Sequence, residues 1–252
     1  MVSRKLLFLT LLSLITFSNY AQLPFISDNA GTMGTWNPQL ELSYGNGFDN
    51  GHRCTNSSVE LAPVFTLGLT ENIDAVVAYP FVFINEFEDT SSVRISGFSD
   101  VGMEIKWRFL EHEKFSLVFK PGISLPSGKS EIGLGNGAVG FSSFLISTMT
   151  YSKMAINTNL GYISNHNDCG AARNIWHTSV GFDFASTEIV HLVVNGGIEK
   201  NPDINSQTPA AFALIGLYYF LSEDNEIALG YKCGLTEPEA DHSFIVGLTL
   251  RF

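Results

Sequence analysis

The feature that most limits what this chain can fold into is an alternation of apolar and polar residues, renewed about every twenty residues. It is clearest at the end, HSFIVGLTLRF (242–252). Phe244, Val246, Leu248, Leu250 and Phe252 share one face; Ser243, Gly247, Thr249 and Arg251 share the other, with Ile245 the one apolar exception. Side chains of a strand point to opposite faces in turn, so this segment has one greasy wall and one mostly polar wall. The pattern recurs. From Asp100, Val101, Met103, Ile105, Trp107 and Phe109 oppose Asp100, Glu104, Lys106 and Arg108. From Phe115, Leu117, Phe119 and Ile123 oppose Lys120 and Gly122; from Trp176, Val180, Phe182 and Phe184 oppose His177, Ser179 and Asp183. Counting similar runs near 35–44, 58–68, 73–84, 138–149, 154–163, 189–199, 209–220 and 227–235, the sequence predicts about twelve strands.

The connections decide how those strands are arranged. Leu69–Asn72, Glu111–Lys114, Tyr151–Lys153, Ala185–Glu188 and Leu221–Asn225 are short and polar. Between them lie longer links rich in Gly, Asn, Asp, Ser and Pro, at about 45–57, 85–96, 125–137, 164–172, 200–208 and 236–241. Short periplasmic turns alternating with longer outer loops characterise transmembrane barrels. A soluble sandwich has no reason to send its long loops to every second connection. In a bilayer no strand edge can stay unpaired, so the sheet must close. The expected fold is therefore all-β: a single up-and-down antiparallel transmembrane β-barrel of about twelve strands.

The start of the chain fits export. MVSRKLLFLTLLSLITF has Arg4 and Lys5 ahead of an apolar run, then a polar exit ending on Ala21. This is a secretory leader, predicted over 1–21, with the barrel over 22–252. The apolar run is short for a membrane helix. Without the leader, 12 of the 14 basic residues remain against 25 acidic ones, which argues against a nucleic-acid partner. Twenty Phe, eight Tyr and 23 Gly suit a barrel with aromatic girdles. Three cysteines, Cys54, Cys169 and Cys233, would meet oxidising conditions. Cys54 and Cys169 fall in expected loops on one side, where a bridge is an open alternative.

Several segments resemble one family. They are LPFISDNAGTMGTWNPQLEL (23–42), GFSDVGMEIKWRFLE (97–111), KPGISLPSGKSEIGLGNG (120–137), NLGYISNHND (159–168) and LGYKCGLTEPEADHSFIVGLTLRF (229–252). Together they are similar to the family described as MetA-pathway of phenol degradation, outer-membrane barrels of transporter type. The resemblance implies passage of small, aromatic or hydrophobic solutes.

The polar faces supply the candidate residues. Asp100, Glu104, Lys106, Arg108, Lys120, His177, Asp183 and Lys232 are expected to point into the lumen, where rings of charge can select solutes. The alternative is a closed structural or interaction barrel whose lumen is filled by its own salt bridges. Pro126, Gly128, Lys129 and Glu131 belong to a loop expected to cap or gate the mouth; its GKS triplet lacks the glycine spacing of a phosphate loop. A third reading, a membrane-embedded lipid hydrolase, needs a nucleophile and base on one accessible face. His242 and Ser243 point apart, and His177 and Ser179 point inward. The sequence thus gives no catalytic residues, no metal site and no cofactor. The partners it implies are outer-membrane lipid and lipopolysaccharide around the wall, the barrel-assembly machinery reading the terminal Phe252, and a small-molecule solute. A plugged active importer is excluded by length, since such barrels have about 22 strands.

Overall fold

The structure, a computed structural model, describes residues 23–50, 54–88, 91–168 and 170–252. The expected leader, 1–21, and residues 51–53 and 89–90 lie outside the described residues.

The described residues form fourteen strands: β1 (Pro38–Asn50), β2 (Cys54–Thr70), β3 (Ile73–Ala78), β4 (Phe81–Glu88), β5 (Ser91–Phe98), β6 (Val101–His112), β7 (Phe115–Leu125), β8 (Gly140–Tyr151), β9 (Met154–Ser164), β10 (Asn174–Ala185), β11 (Val190–Glu199), β12 (Ala210–Phe220), β13 (Asn225–Gly234) and β14 (His242–Arg251). They build twelve staves. β3 and β4 lie end to end along β2, and β5 and β6 continue the next stave, pairing with β4 and β3 respectively. The first of these breaks falls at Tyr79 and Pro80. Proline has no N–H for the ladder, which is why a strand interrupts there. All pairing is antiparallel, each stave beside its sequence neighbour, and β1 pairs with β14 from Gln39↔Arg251 to Phe48↔His242. That last ladder closes the sheet into a barrel.

Two expected outer loops are corrected. The segments 45–57 and 85–96 are mostly strand: β1 and β2 stay in register up to Asn50↔Thr55, and β4 and β5 up to Glu88↔Ser91. Their Asn, Asp, Ser and Gly content reads as loop, yet ladder hydrogen bonds use only the backbone and tolerate those residues. Cys54 accordingly opens β2 instead of lying in a loop. Cys169 lies outside the described residues, so the alternative of a bridge is not addressed; Cys233 is a free thiol.

The alternation takes its expected sense. Trp107 is 48% exposed and Phe182 40%, whereas Lys106 beside the first and Ser179 on the opposite face of the second's strand are buried. A sandwich would hide the first pair. The apolar exterior includes Leu145, Leu160, Val194 and Ile215, with Tyr44, Tyr162, Trp176 and Phe244 toward one rim and Trp107, Tyr151, Phe184 and Tyr219 toward the other. A register shift between Arg108 and Leu110 bulges β6, so both Phe109 and Leu110 face outward.

The lumen and its inner hoop

The lumen is occupied by the chain itself. Residues 23–37 have no strand of their own and run around the inner wall before β1 begins. Gly34, at φ 78°, helps turn the chain inward at the short-turn rim. There Trp36 N–H donates to the Gly68 carbonyl of β2 (2.8 Å). Next, Met33 N–H donates to both Asp74 carboxylate oxygens on β3 (3.1 and 3.2 Å). Ala30 N–H donates to Thr148 Oγ1 on β8 (2.8 Å), and Asp28 N–H to Asn159 Oδ1 on β9 (2.8 Å). Ser27 Oγ lies 2.8 Å from Ser179 Oγ on β10, and Ile26 and Ser27 N–H groups both donate to Asn195 Oδ1 on β11 (2.9 and 3.1 Å). Pro24 lies over Gly216 and Gly230 of β12 and β13, and Leu23 over Gly247 of β14. The segment is an internal hoop from β2 round to β14.

Its fit explains two sequence features. The hoop has no ladder, so its backbone groups would be costly to bury unpaired. Side-chain amides stand in for a neighbouring strand: Asn159 accepts from Asp28 N–H and returns its own N–H to the Asp28 carbonyl (2.8 Å). The glycines of the inner wall give the hoop room. A Cβ on Gly181 would stand 2.7 Å from the Phe25 ring, one on Gly247 2.4 Å from Leu23, and one on Gly68 1.7 Å from the Gly34 carbonyl oxygen. Glycine inside a strand often marks such a close approach. Leu23, Phe25 and Ile26 pack with Phe212, Leu214 and Tyr218, and the inward-facing Ile245 joins them. The apolar exception in the last strand is therefore a contact for the hoop.

The charges meet at Asp28, only 3% exposed. Lys106 Nζ donates to its Oδ1 (2.9 Å) and Lys120 Nζ to its Oδ2 (3.0 Å); Lys120 also lies 3.2 Å from Glu104 Oε2. Lys120 is 1% exposed and is held by two carboxylates. Four of the lumenal candidates thus fall into two settings. Lys106, Lys120 and Glu104 form this knot, while Arg108 turns to the rim, donating to the Glu71 carbonyl and Asn72 Oδ1 (both 3.1 Å).

The other candidates lie apart. Asp183 contacts His191 Nδ1 (2.7 Å) and the Tyr218 hydroxyl (2.5 Å). Lys232 pairs with Glu239 of the 235–241 connection (2.5 Å). Asp100 sits between β5 and β6, outside the knot, and accepts from Gly128 N–H (2.9 Å) and Asn136 N–H (2.8 Å). It ties down the loop that carries Pro126, Lys129 and Glu131. Within that loop a short 3-10 turn spans Ser130–Ile132, and Leu134 is buried against Val82, Ile84 and Ile95.

His177 Nδ1 lies 3.0 Å from Glu199 Oε2, and His177 Nε2 lies 3.0 Å from Ser179 Oγ. The order Ser–His–Glu resembles a hydrolase relay. However, Ser179 is buried, and the far side of its hydroxyl is taken by Ser27 of the hoop. The three side chains tie β10 and β11 to the hoop. Among the described residues no cluster of three or more His, Cys, Asp or Glu could hold a metal ion.

The hoop leaves one space of note. A cavity of about 210 Å³ lies between hoop residues 28–33 and the wall formed by β1, β2, β3, β6 and β14. Asp28, Glu41, Asp74, Lys106, Thr66 and Arg251 contribute to its lining. Neither hoop nor cavity is legible in the strand pattern. The signals present were the glycines of the polar faces and two lysines, Lys106 and Lys120, on neighbouring strands with no third partner in view.

A closed antiparallel barrel with an apolar exterior and a polar interior is the architecture of outer-membrane barrels. The chain belongs to the family described as "Putative MetA-pathway of phenol degradation", whose model matches residues 34–252. Solved structures share the fold at low identity. An outer membrane channel from Pseudomonas putida F1 is 11% identical, with a TM-score of 0.67 over 88% of this chain and 98% of that one. The KdgM porin in complex with disordered oligogalacturonate is 8% identical, with a TM-score of 0.56 over 84% and 99%. The translocator domain of the autotransporter NalP from Neisseria meningitidis is 12% identical, with a TM-score of 0.53 over 87% and 89%. No curated relative matches the chain in sequence.

Proposed function

We propose that the protein is a passive outer-membrane channel for small solutes, aromatic or hydrophobic ones included, in which the hoop sets how much of the lumen is open. The observation that carries this reading is the hoop's attachment. It is held by hydrogen bonds and one charge knot, with no strand ladder, and it leaves a lined cavity beside it. Family membership supports the solute class, and the outer membrane channel of similar fold supports the direction of the reading. In this reading the apolar exterior faces lipid and lipopolysaccharide, residues 1–21 direct export, and Phe252, 74% exposed, is offered to the assembly machinery. Pro126, Gly128, Lys129 and Glu131 stand over the outer mouth as a cap fastened by Asp100. The chain performs no catalysis.

The closed-barrel alternative draws on the filled lumen, and one experiment separates the two. The full-length protein and a variant lacking 23–34 are reconstituted in liposomes and planar bilayers. The channel reading expects measurable solute-driven swelling for the full chain and a several-fold larger conductance for the shortened one. No flux from the folded full-length protein would leave only the structural role.

A further inference from the structure

Most buried lumenal carboxylates have a charged or imidazole partner. Asp28 has Lys106 and Lys120, Glu104 has Lys120, Glu199 has His177 and Glu226 has Arg251. Two that line the cavity do not: among the described residues neither Glu41 nor Asp74 has a cation within 4.0 Å. Asp74 is occupied by the Met33 N–H. Glu41 is 6% exposed and its Oε1 has no partner at all.

The register places two more such groups beside it. Thr249 of β14 is the direct partner of Glu41 on β1, and Glu226 of β13 is the direct partner of Thr249. Thr249 is 1% exposed and Glu226 0%, and Thr249 Oγ1 and Glu226 Oε1 are likewise without hydrogen bonds. Three neighbouring staves therefore present, in one row, buried oxygens that lack donors. Native proteins rarely leave such atoms unmatched. Of the two cations lining this cavity, Lys106 is spent on Asp28 and Arg251 on the other oxygen of Glu226.

We infer that this row, which meets the cavity at Glu41, binds a monovalent cation, either a bare alkali or ammonium ion or the protonated amine head of an organic solute. Glu226 is already paired with Arg251, so Glu41 is the one uncompensated charge of the row, which matches a monovalent and not a divalent ion. The cavity, at about 210 Å³, is far larger than one water, whose share of liquid is about 30 Å³, so its volume is enough for a ring carrying an amine. As a solute site the proposal rests on the channel reading; as a binding site it does not.

The test uses purified full-length protein in detergent, titrated calorimetrically at constant ionic strength with potassium, ammonium and benzylammonium chlorides, and with benzyl alcohol and benzoate. At least one cation is expected to bind while benzyl alcohol and benzoate do not. Affinity should fall at least tenfold in Glu41→Gln and several-fold in Thr249→Val, both checked for folding by heat-modifiable gel mobility. Tighter binding of benzylammonium than of ammonium identifies an organic amine; the reverse identifies a bare ion. The proposal is overturned if no cation binds, if benzyl alcohol binds equally well, or if infrared difference spectra against Glu41→Gln show that Glu41 carries a proton at neutral pH. Binding without liposome flux removes the channel reading alone; flux without binding removes this site alone.

Discussion

Asp28 shows how much can hang on a side chain that no strand pattern singles out. It was legible only as part of an irregular entry segment, whereas Lys106 and Lys120 were visible as inward cations. The pairing was hidden because the two partners come from positions 78 and 92 residues away. Replacing Asp28 with Asn leaves two buried ammonium groups short of a counter-charge. Removing one partner of a buried pair typically costs about 3–5 kcal/mol. We expect Asp28→Asn to release the hoop, giving higher conductance and protease cleavage within 23–34 where the parent resists. Gly68→Ala makes the same point sterically. Its Cβ would lie 1.7 Å from a backbone oxygen of the hoop, which no rotamer change relieves. That variant should match the hoop deletion in conductance while keeping its barrel, as judged by gel mobility.

At the level of the strand, alternation was readable because lipid and lumen impose opposite demands on successive residues. Where the wall of β1, β2, β4 and β5 runs on past the apolar exterior, that demand lapses and the pattern fades, although pairing continues. The stave broken at Pro80 was likewise read as one run, 73–84, because a break removes bonds, not polarity; β5, by contrast, was read as part of the 85–96 loop. The final strand makes a separate prediction. Phe252 donates its N–H to the Pro38 carbonyl (3.1 Å), but its ring is largely exposed, so it contributes little to the folded wall. Deleting Phe252 should lower the amount of protein assembled in the outer membrane several-fold in cells. Its refolded stability in detergent should change by no more than about 0.5 kcal/mol, the usual range for surface changes.

For the molecule as a whole, the membrane assignment is tested by depth. Val194 lies midway along β11, faces outward and is 52% exposed; Leu221, 58% exposed, lies at the turn after β12. An arginine at the bilayer midplane of such a barrel costs roughly 2–4 kcal/mol, falling to about 0–1 near the interface. Val194→Arg should therefore destabilise the barrel in lipid by roughly 2–4 kcal/mol and Leu221→Arg by about 1 or less. Equal effects in a folding titration in vesicles would contradict the orientation.

The hoop also acts as a gauge. Its leading end lies on β14 and its trailing end runs straight into β1, so a single length of chain measures the inner circumference from one side of the seam to the other. Each anchor has its own stave, and a wall with one stave fewer or more, or a seam slipped by two residues, would bring the anchors to the wrong places. Backbone ladders alone would tolerate either error. Here the girth of the barrel is written in the fifteen residues that precede its wall.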